Sequence, residues 1–228
     1  MKKNKLELVQ PGFANGISKQ LEKKQVLEGL SASLDDDEKG RIILDAAYHY
    51  GKFLTALGVD WKKDPNSDNT PVRVAKAYVN DLWRGRYEAC PDITTFPTDG
   101  YEGMVFEGGI PLTSMCSHHH QTIMGTCHVA YIPGETNAVI GLSKMNRVVE
   151  HFGRRGAIQE QLTKAIHHAI DTLIIDNEGI AVYIEATHKC VQCRGVKHVG
   201  AKMKTTLFSG AFKTDPSTRS EFLEFCKP

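Results

Sequence analysis

Two groups of cysteine and histidine, MCSHHHQT at residues 115–122 and THKCVQCRG at 187–195, lie far apart in the chain, and any fold must decide whether they meet. Cys116 and His119 have the CxxH spacing that lets one turn bring a sulfur and a nitrogen to a single ion, at roughly 2.3 and 2.0 Å. Two ligands do not make a site, so the second group has to return to the first. If Cys190 and Cys193 both bind, the result is a closed Cys3His tetrahedron, a structural zinc. If one binds, a position stays open for water, the mark of a catalytic zinc.

Strand parity favours the open site. The alternating segment GIAVYIEAT (179–187) leads into the second group, and a chain that stays extended there puts His188, Cys190, Gln192 and Arg194 on one face and Cys193 on the other. The metal ligands are then Cys116, His119 and Cys190. The alternative is a CxxC turn, relaxed by Gly195, that carries Cys193 to the metal. Two thiolates and one neutral imidazole leave no net charge on a Zn²⁺ complex, so bound water is less acidified than in a three-histidine site and neighbouring bases matter more. His118, projecting beside its ligand neighbour, and His188 are the candidate proton carriers, because imidazole is the side chain type suited to proton transfer near neutral pH. His120 has no assigned task. A hydrogen-bonded structural role stands for His128, His151, His167, His168 and His198.

Composition limits the partners. The 228 residues are 41% hydrophobic and 24% charged, the profile of a soluble globular chain, and the formal net charge of +1 provides no global field for nucleic acid or a membrane surface. Any anionic ligand needs a local cluster of cations. The start, MKKNKLELVQPGFANG, lacks the apolar run of a secretory signal, and no segment is long enough to span a bilayer. A cytoplasmic protein is expected, with its six cysteines as thiols or metal ligands rather than disulfides.

Three regions follow from the pattern. Residues 1–35 mix Lys, Gln, Gly, Ser and Asp without periodicity and read as a flexible arm. Residues 36–90 read as a helical region: one helix over 36–57, stopped by Gly58, and another in NTPVRVAKAYVNDLWRG, capped by Asn69 or Thr70 with Pro71 in its first turn. Residues 91–228 read as the catalytic domain. A strand is expected at 126–133, a helix capped by Ser143, a longer helix over 157–175, and strands at 179–187 and 205–212. The order predicts an α+β fold, with two helices packed on one face of an antiparallel sheet.

The segments MCSHH, HVAYIPG, VIGLSKMNRVVE, IQEQLT, EATHKCVQCRG and DPSTRSEFLEF resemble, in order, successive motifs of the GTP cyclohydrolase I family, and TPVRVAKAY resembles its upstream helix. The resemblance runs from about residue 40 to the C-terminus. It implies the tunnelling fold, a homodecamer of two stacked pentameric rings with active sites at subunit junctions, a Zn²⁺ cofactor, and conversion of GTP to 7,8-dihydroneopterin triphosphate with release of formate. It places the zinc ligands on Cys116, His119 and Cys190 and the proton-moving histidines on His118 and His188. Hydrolytic attack at C8 of guanine is the implied first step, with His188 near the ribose oxygen.

The resemblance also assigns triphosphate contacts to Ser143, Lys144, Arg147 and Arg194, with Arg73 a further basic position. A helix start with free N–H groups at Ser143 and Lys144 suits phosphate, and Arg147 lies one turn on. Glu160 resembles the residue that reads guanine, since a carboxylate accepts from both N1–H and N2–H and adenine lacks that donor pair. Gln159 assists. Ser117, Gln161, Lys189 and the HQTIMG segment depart from frequent family choices, and Cys193 falls where the family has no ligand. Two other classes stay open on the residues alone: a noncatalytic module with closed Cys3His zinc, and a relative acting on another purine or pterin.

Overall fold

Asp35 opens the first helix by a reciprocal cap: its carboxylate accepts from Glu38 N–H at 2.8 Å, and the Glu38 carboxylate accepts from Asp35 N–H at 3.1 Å. The structure is a computed structural model and describes residues 33–98, 100–135 and 138–227, so most of the expected arm at 1–35 lies outside the described residues. The chain divides into two units, Met1–Ala89 and Cys90–Pro228.

In the N-terminal unit, α1 (Asp36–Ala56) is followed by α2 (Thr70–Ala77), which runs into a π turn (Tyr78–Leu82). Pro71 sits in the first turn of α2, where its missing N–H costs nothing. Ile43 and Ala47 of α1 pack with Trp61, Ala75, Val79 and Tyr87, and Trp61 Nε1–H donates to Gly51 O at 3.0 Å.

The C-terminal unit is built on an antiparallel sheet in the order β2-β3-β5-β6: β2 (Val105–Met115), β3 (Thr122–Pro133), β5 (Asn177–His188) and β6 (Met203–Phe208). A smaller ladder pairs β1 (Thr95–Pro97) with β4 (Ala138–Ile140). Between β4 and β5 lie α3 (Leu142–Gly153) and α4 (Gln159–Leu173), which pack on each other and on one sheet face. Their core holds Met145, Val148, Val149, Leu162, Ile166 and Ile170 against Cys127, Val129, Tyr131, Ile180, Val182 and Ile184. Beyond β5 come a four-residue helix α5 (Lys189–Gln192) and, after β6, α6 (Gly210–Thr214) and α7 (Pro216–Phe225). Phe212 and Phe222 cover Ala130 and Ala181 on the opposite sheet face. The fold is α+β as expected, with this second helical cover added.

Several boundaries differ from the expected ones. The strand expected at 205–212 ends at Phe208, and Phe212 belongs to α6. Ser143 is not the cap of α3; the cap is Gly141, because the chain enters the helix directly from β4. Strand β2 has no clear alternation because a register shift interrupts it between Glu107 and Ile110, where Gly109 takes a φ of 69°. Among the described residues, no helix is long and apolar enough to cross a membrane.

Gly125 on β3 lies opposite Ala186 on β5 with no room for a side chain. A Cβ there would overlap the Glu185 carbonyl oxygen and lie 2.5 Å from Ala186 Cα. Gly125→Ala should therefore cost about 1–3 kcal/mol, read by denaturant unfolding, because the clash falls on backbone that cannot turn aside.

On the same strand the Glu185 carboxylate is held by Lys202 at 2.7 Å, Lys204 at 2.9 Å and the Tyr183 hydroxyl at 3.0 Å. Hydrogen bonds from Lys202 and Lys204 pull its pKa from an ordinary 4.5 to about 2. A depressed folded-state pKa contributes stability that is present above the unfolded value and is lost as pH falls through the folded one. Glu185→Gln should thus melt below the parent at neutral pH. The gap should narrow as pH drops below about 4.5 and close near about 2.

Candidate active site

The two cysteine groups meet at one end of the sheet. Met115, the last residue of β2, pairs with Thr122, and Ile123 pairs with His188, the last residue of β5. Cys116 follows the first of these ends and Cys190 the second. The β2–β3 turn closes by Cys116 N–H donating to Gln121 O and His120 N–H donating to Cys116 O, both at 2.9 Å. His120 takes a φ of 50° to complete it. A third strut comes from Ala157 N–H, which donates to Met115 O at 3.1 Å and ties the entry of α4 to the end of β2.

The result is a trio, Cys116, His188 and Cys190, whose ligand atoms all lie within 4.8 Å of one another. Cys116 is buried and the other two are half-buried. Burial pushes the Cys190 thiol up, and the neighbouring Cys116 sulfur adds to the effect, while Arg194 opposes both. Sulfur, sulfur and imidazole at this spacing are a donor set that suits Zn²⁺, so the residues fit the expected metal.

His119 is not part of that trio. Ser117, His118 and His119 are all exposed on the turn, and the rings of His118 and His119 stand edge to face with centroids 6.3 Å apart. His188 was expected on the Cys190 face but only as a proton carrier; the structure brings its ring as near the two thiols as a ligand would be. Desolvation lowers the His188 pKa, and the Glu160 carboxylate pulls the other way. Its Nε2 lies 2.8 Å from Gln159 Oε1.

The parity argument for Cys193 fails, because β5 stops at His188 and Lys189 begins a helical turn. Its consequence survives for another reason: α5 leaves the Cys193 thiol exposed, donating to Lys189 O, 3.8 Å from Gln121 Oε1 and outside the trio.

The remaining expected residues fall in three places. Glu160 is exposed at the second position of α4, and Gln159, the first, is fully buried. Ser143 and Arg147 are exposed on the first turns of α3, and Lys144 there donates to Asp92 O at 2.9 Å. Arg194 is exposed just past α5. Arg73 is exposed on α2 in the N-terminal unit, donating to Asn66 O at 3.3 Å.

An antiparallel α+β unit that gathers two thiols and an imidazole at the end of its sheet defines the class, a domain equipped to use a metal. The family model for GTP cyclohydrolase I matches residues 46–227. Curated relatives named GTP cyclohydrolase 1 agree. The one from Shewanella sp. strain ANA-3 is 41% identical over 79% of this chain and 82% of its own. That from Aeromonas salmonicida is 43% identical over 77% and 79%, and that from Haemophilus ducreyi 40% over 88% and 90%. The chain belongs to the GTP cyclohydrolase I family.

If the trio is the metal centre, Cys116→Ser and Cys190→Ser should each lose bound zinc, and Cys193→Ser should keep about one per chain. Elemental analysis of the purified variants reads the difference. Loss of zinc from Cys193→Ser would restore the closed Cys3His site.

Proposed function

We infer that this chain performs its family's reaction, opening and rearranging GTP to 7,8-dihydroneopterin triphosphate with release of formate, the first step of pterin and folate-type biosynthesis. Family membership over residues 46–227 carries the reading, and the Cys116–His188–Cys190 grouping supports it.

Zn²⁺ is the proposed ion, held by Cys116, Cys190 and, on the family pattern, His119, which lies three residues around the turn from Cys116. When bound, such an ion supplies Lewis acidity that makes water nucleophilic near neutral pH. The protein's own groups do the rest. His118, exposed in the same turn, delivers a proton to the guanine ring nitrogen as the ring opens. His188, half-buried at the end of β5, holds or moves a proton near the ribose oxygen. The exposed Glu160 accepts from guanine N1–H and N2–H.

The triphosphate needs concentrated cations, because the chain as a whole is nearly neutral. Lys144 supplies one at the N-terminus of α3, where the Ser143 hydroxyl, backbone N–H groups and the helix dipole favour anions, and Arg147 and Arg194 are the others proposed. Lys144 would exchange the Asp92 carbonyl for phosphate. Arg73 is a proposed substrate contact on the family pattern alone. The tunnelling fold, the homodecamer with shared active sites and cytoplasmic residence are proposed on the same pattern. Light scattering should then report a particle of ten chains.

Reducing, zinc-replete protein should convert GTP to a product that fluoresces after oxidation, and absence of that product would overturn the reading. His118→Ala should lower turnover by about 10²–10⁴-fold with zinc retained. His119→Ala should lose zinc and His188→Ala should keep it. The reverse pattern would make His188 the ligand. Glu160→Gln should weaken the preference for GTP over other purine triphosphates in competition.

A further inference from the structure

We propose that Gln159 is a positioning residue that fixes His188 with its proton on Nε2, leaving Nδ1 as the ring's working atom. The inference rests on the reading of His188 as a group of the site.

Proton directions around Gln159 are determined by the partners. Its side chain is fully buried. Its amide nitrogen lies 3.3 Å from Ile184 O, 3.1 Å from Met203 O and 3.1 Å from Thr205 Oγ1. Two of those are backbone carbonyls, which only accept, so the nitrogen must face them. Turning the amide over would set oxygen against oxygen in a buried site, at the cost of unpaired polar groups on both sides.

The hydroxyls agree with that orientation. Thr163 Oγ1 donates its single hydrogen to Gln159 O at 2.8 Å. Thr205, 2.6 Å from Thr163 Oγ1, must then be the donor of that pair. With its hydrogen spent, Thr205 Oγ1 receives from the Gln159 amide. The circuit runs in one direction, from the amide to Thr205, to Thr163 and back to the Gln159 backbone.

Only one conclusion is left for the oxygen end. Gln159 Oε1 is 2.8 Å from His188 Nε2, and an amide oxygen cannot donate. Nε2 therefore carries a hydrogen. In the neutral ring Nδ1 alone keeps a lone pair and is the atom left to take a substrate proton. The amide hydrogens are committed within the protein, so Gln159 serves the site through His188, and base reading rests with Glu160.

The direct test is ¹⁵N NMR of full-length, as-purified protein labelled at histidine, with the His188 signals assigned by their loss in His188→Asn. We expect the hydrogen-bearing resonance on Nε2 and the lone-pair resonance on Nδ1. The opposite tautomer, or an even mixture, would overturn the proposal. This readout needs no turnover, so it stands apart from the substrate assignment. As a second arm, Gln159→Met removes the acceptor and should scramble the tautomer. In the GTP assay it should lower kcat by about 10–100-fold with KM within about threefold. Gln159→Glu, which keeps an acceptor for Nε2–H, should recover part of kcat. A raised KM with unchanged kcat in Gln159→Met would instead make Gln159 a substrate contact and overturn the proposal.

Discussion

The central pairing of β3 decides whether this chain has a site at all. Thr122 and Ile123 are consecutive, and one pairs with the end of β2 while the other pairs with the end of β5. That register sets Cys116 and Cys190 side by side, although they are distant in sequence. A slip of one residue would turn every side chain to the other face and separate the sulfurs. The apolar pattern prevents the slip: Val129 and Tyr131 on β3 and Val182 and Ile184 on β5 have no exposed surface at all, so moving them outward would forfeit the core.

The helical layer then adds chemistry to that frame. The first turn of α4 has Gln159 pointing inward and Glu160 outward. The inward residue bridges two strands, through Ile184 O on β5 and Met203 O on β6, and reaches the histidine at the end of β5. The outward residue is exposed yet close enough for its charge to be felt at that histidine. A buried polar circuit such as that of Gln159, Thr163 and Thr205 fixes geometry only when every member is satisfied, and here each of the three side chains has a partner.

Sequence made the frame partly legible. Helices α1 and α4 and strands β3 and β5 were readable because their patterns repeat over long stretches. Helix α7 was not read from the sequence: Asp215 caps it, accepting from Ser217 N–H and Thr218 N–H, but the segment has no strong apolar stripe to draw attention. Strand β2 was hidden by its bulge and by Pro111. In the site, the return of the second cysteine group to Cys116 was legible from residue type and spacing, but the choice of Cys190 over Cys193 rested on a strand parity the chain does not keep. That His188 comes within ligand range of the thiols and how Gln159 is set were not legible, because both depend on where β5 ends and which backbone carbonyls lie beneath α4. Local pattern holds no record of that long-range placement.

The thiol pair explains why such a cluster calls for a cation. Cys116 is buried, and burial together with the adjacent sulfur makes ionisation of Cys190 unfavourable. Two neighbouring thiolates without a counter-charge would suffer both penalties, desolvation and mutual repulsion. A divalent ion reverses each of them, so metal binding and loss of the thiol protons are one linked event. Arg194 helps in the same direction from its exposed position after α5. The Cys193 thiol, turned to the Lys189 carbonyl, lies outside the thiol pair.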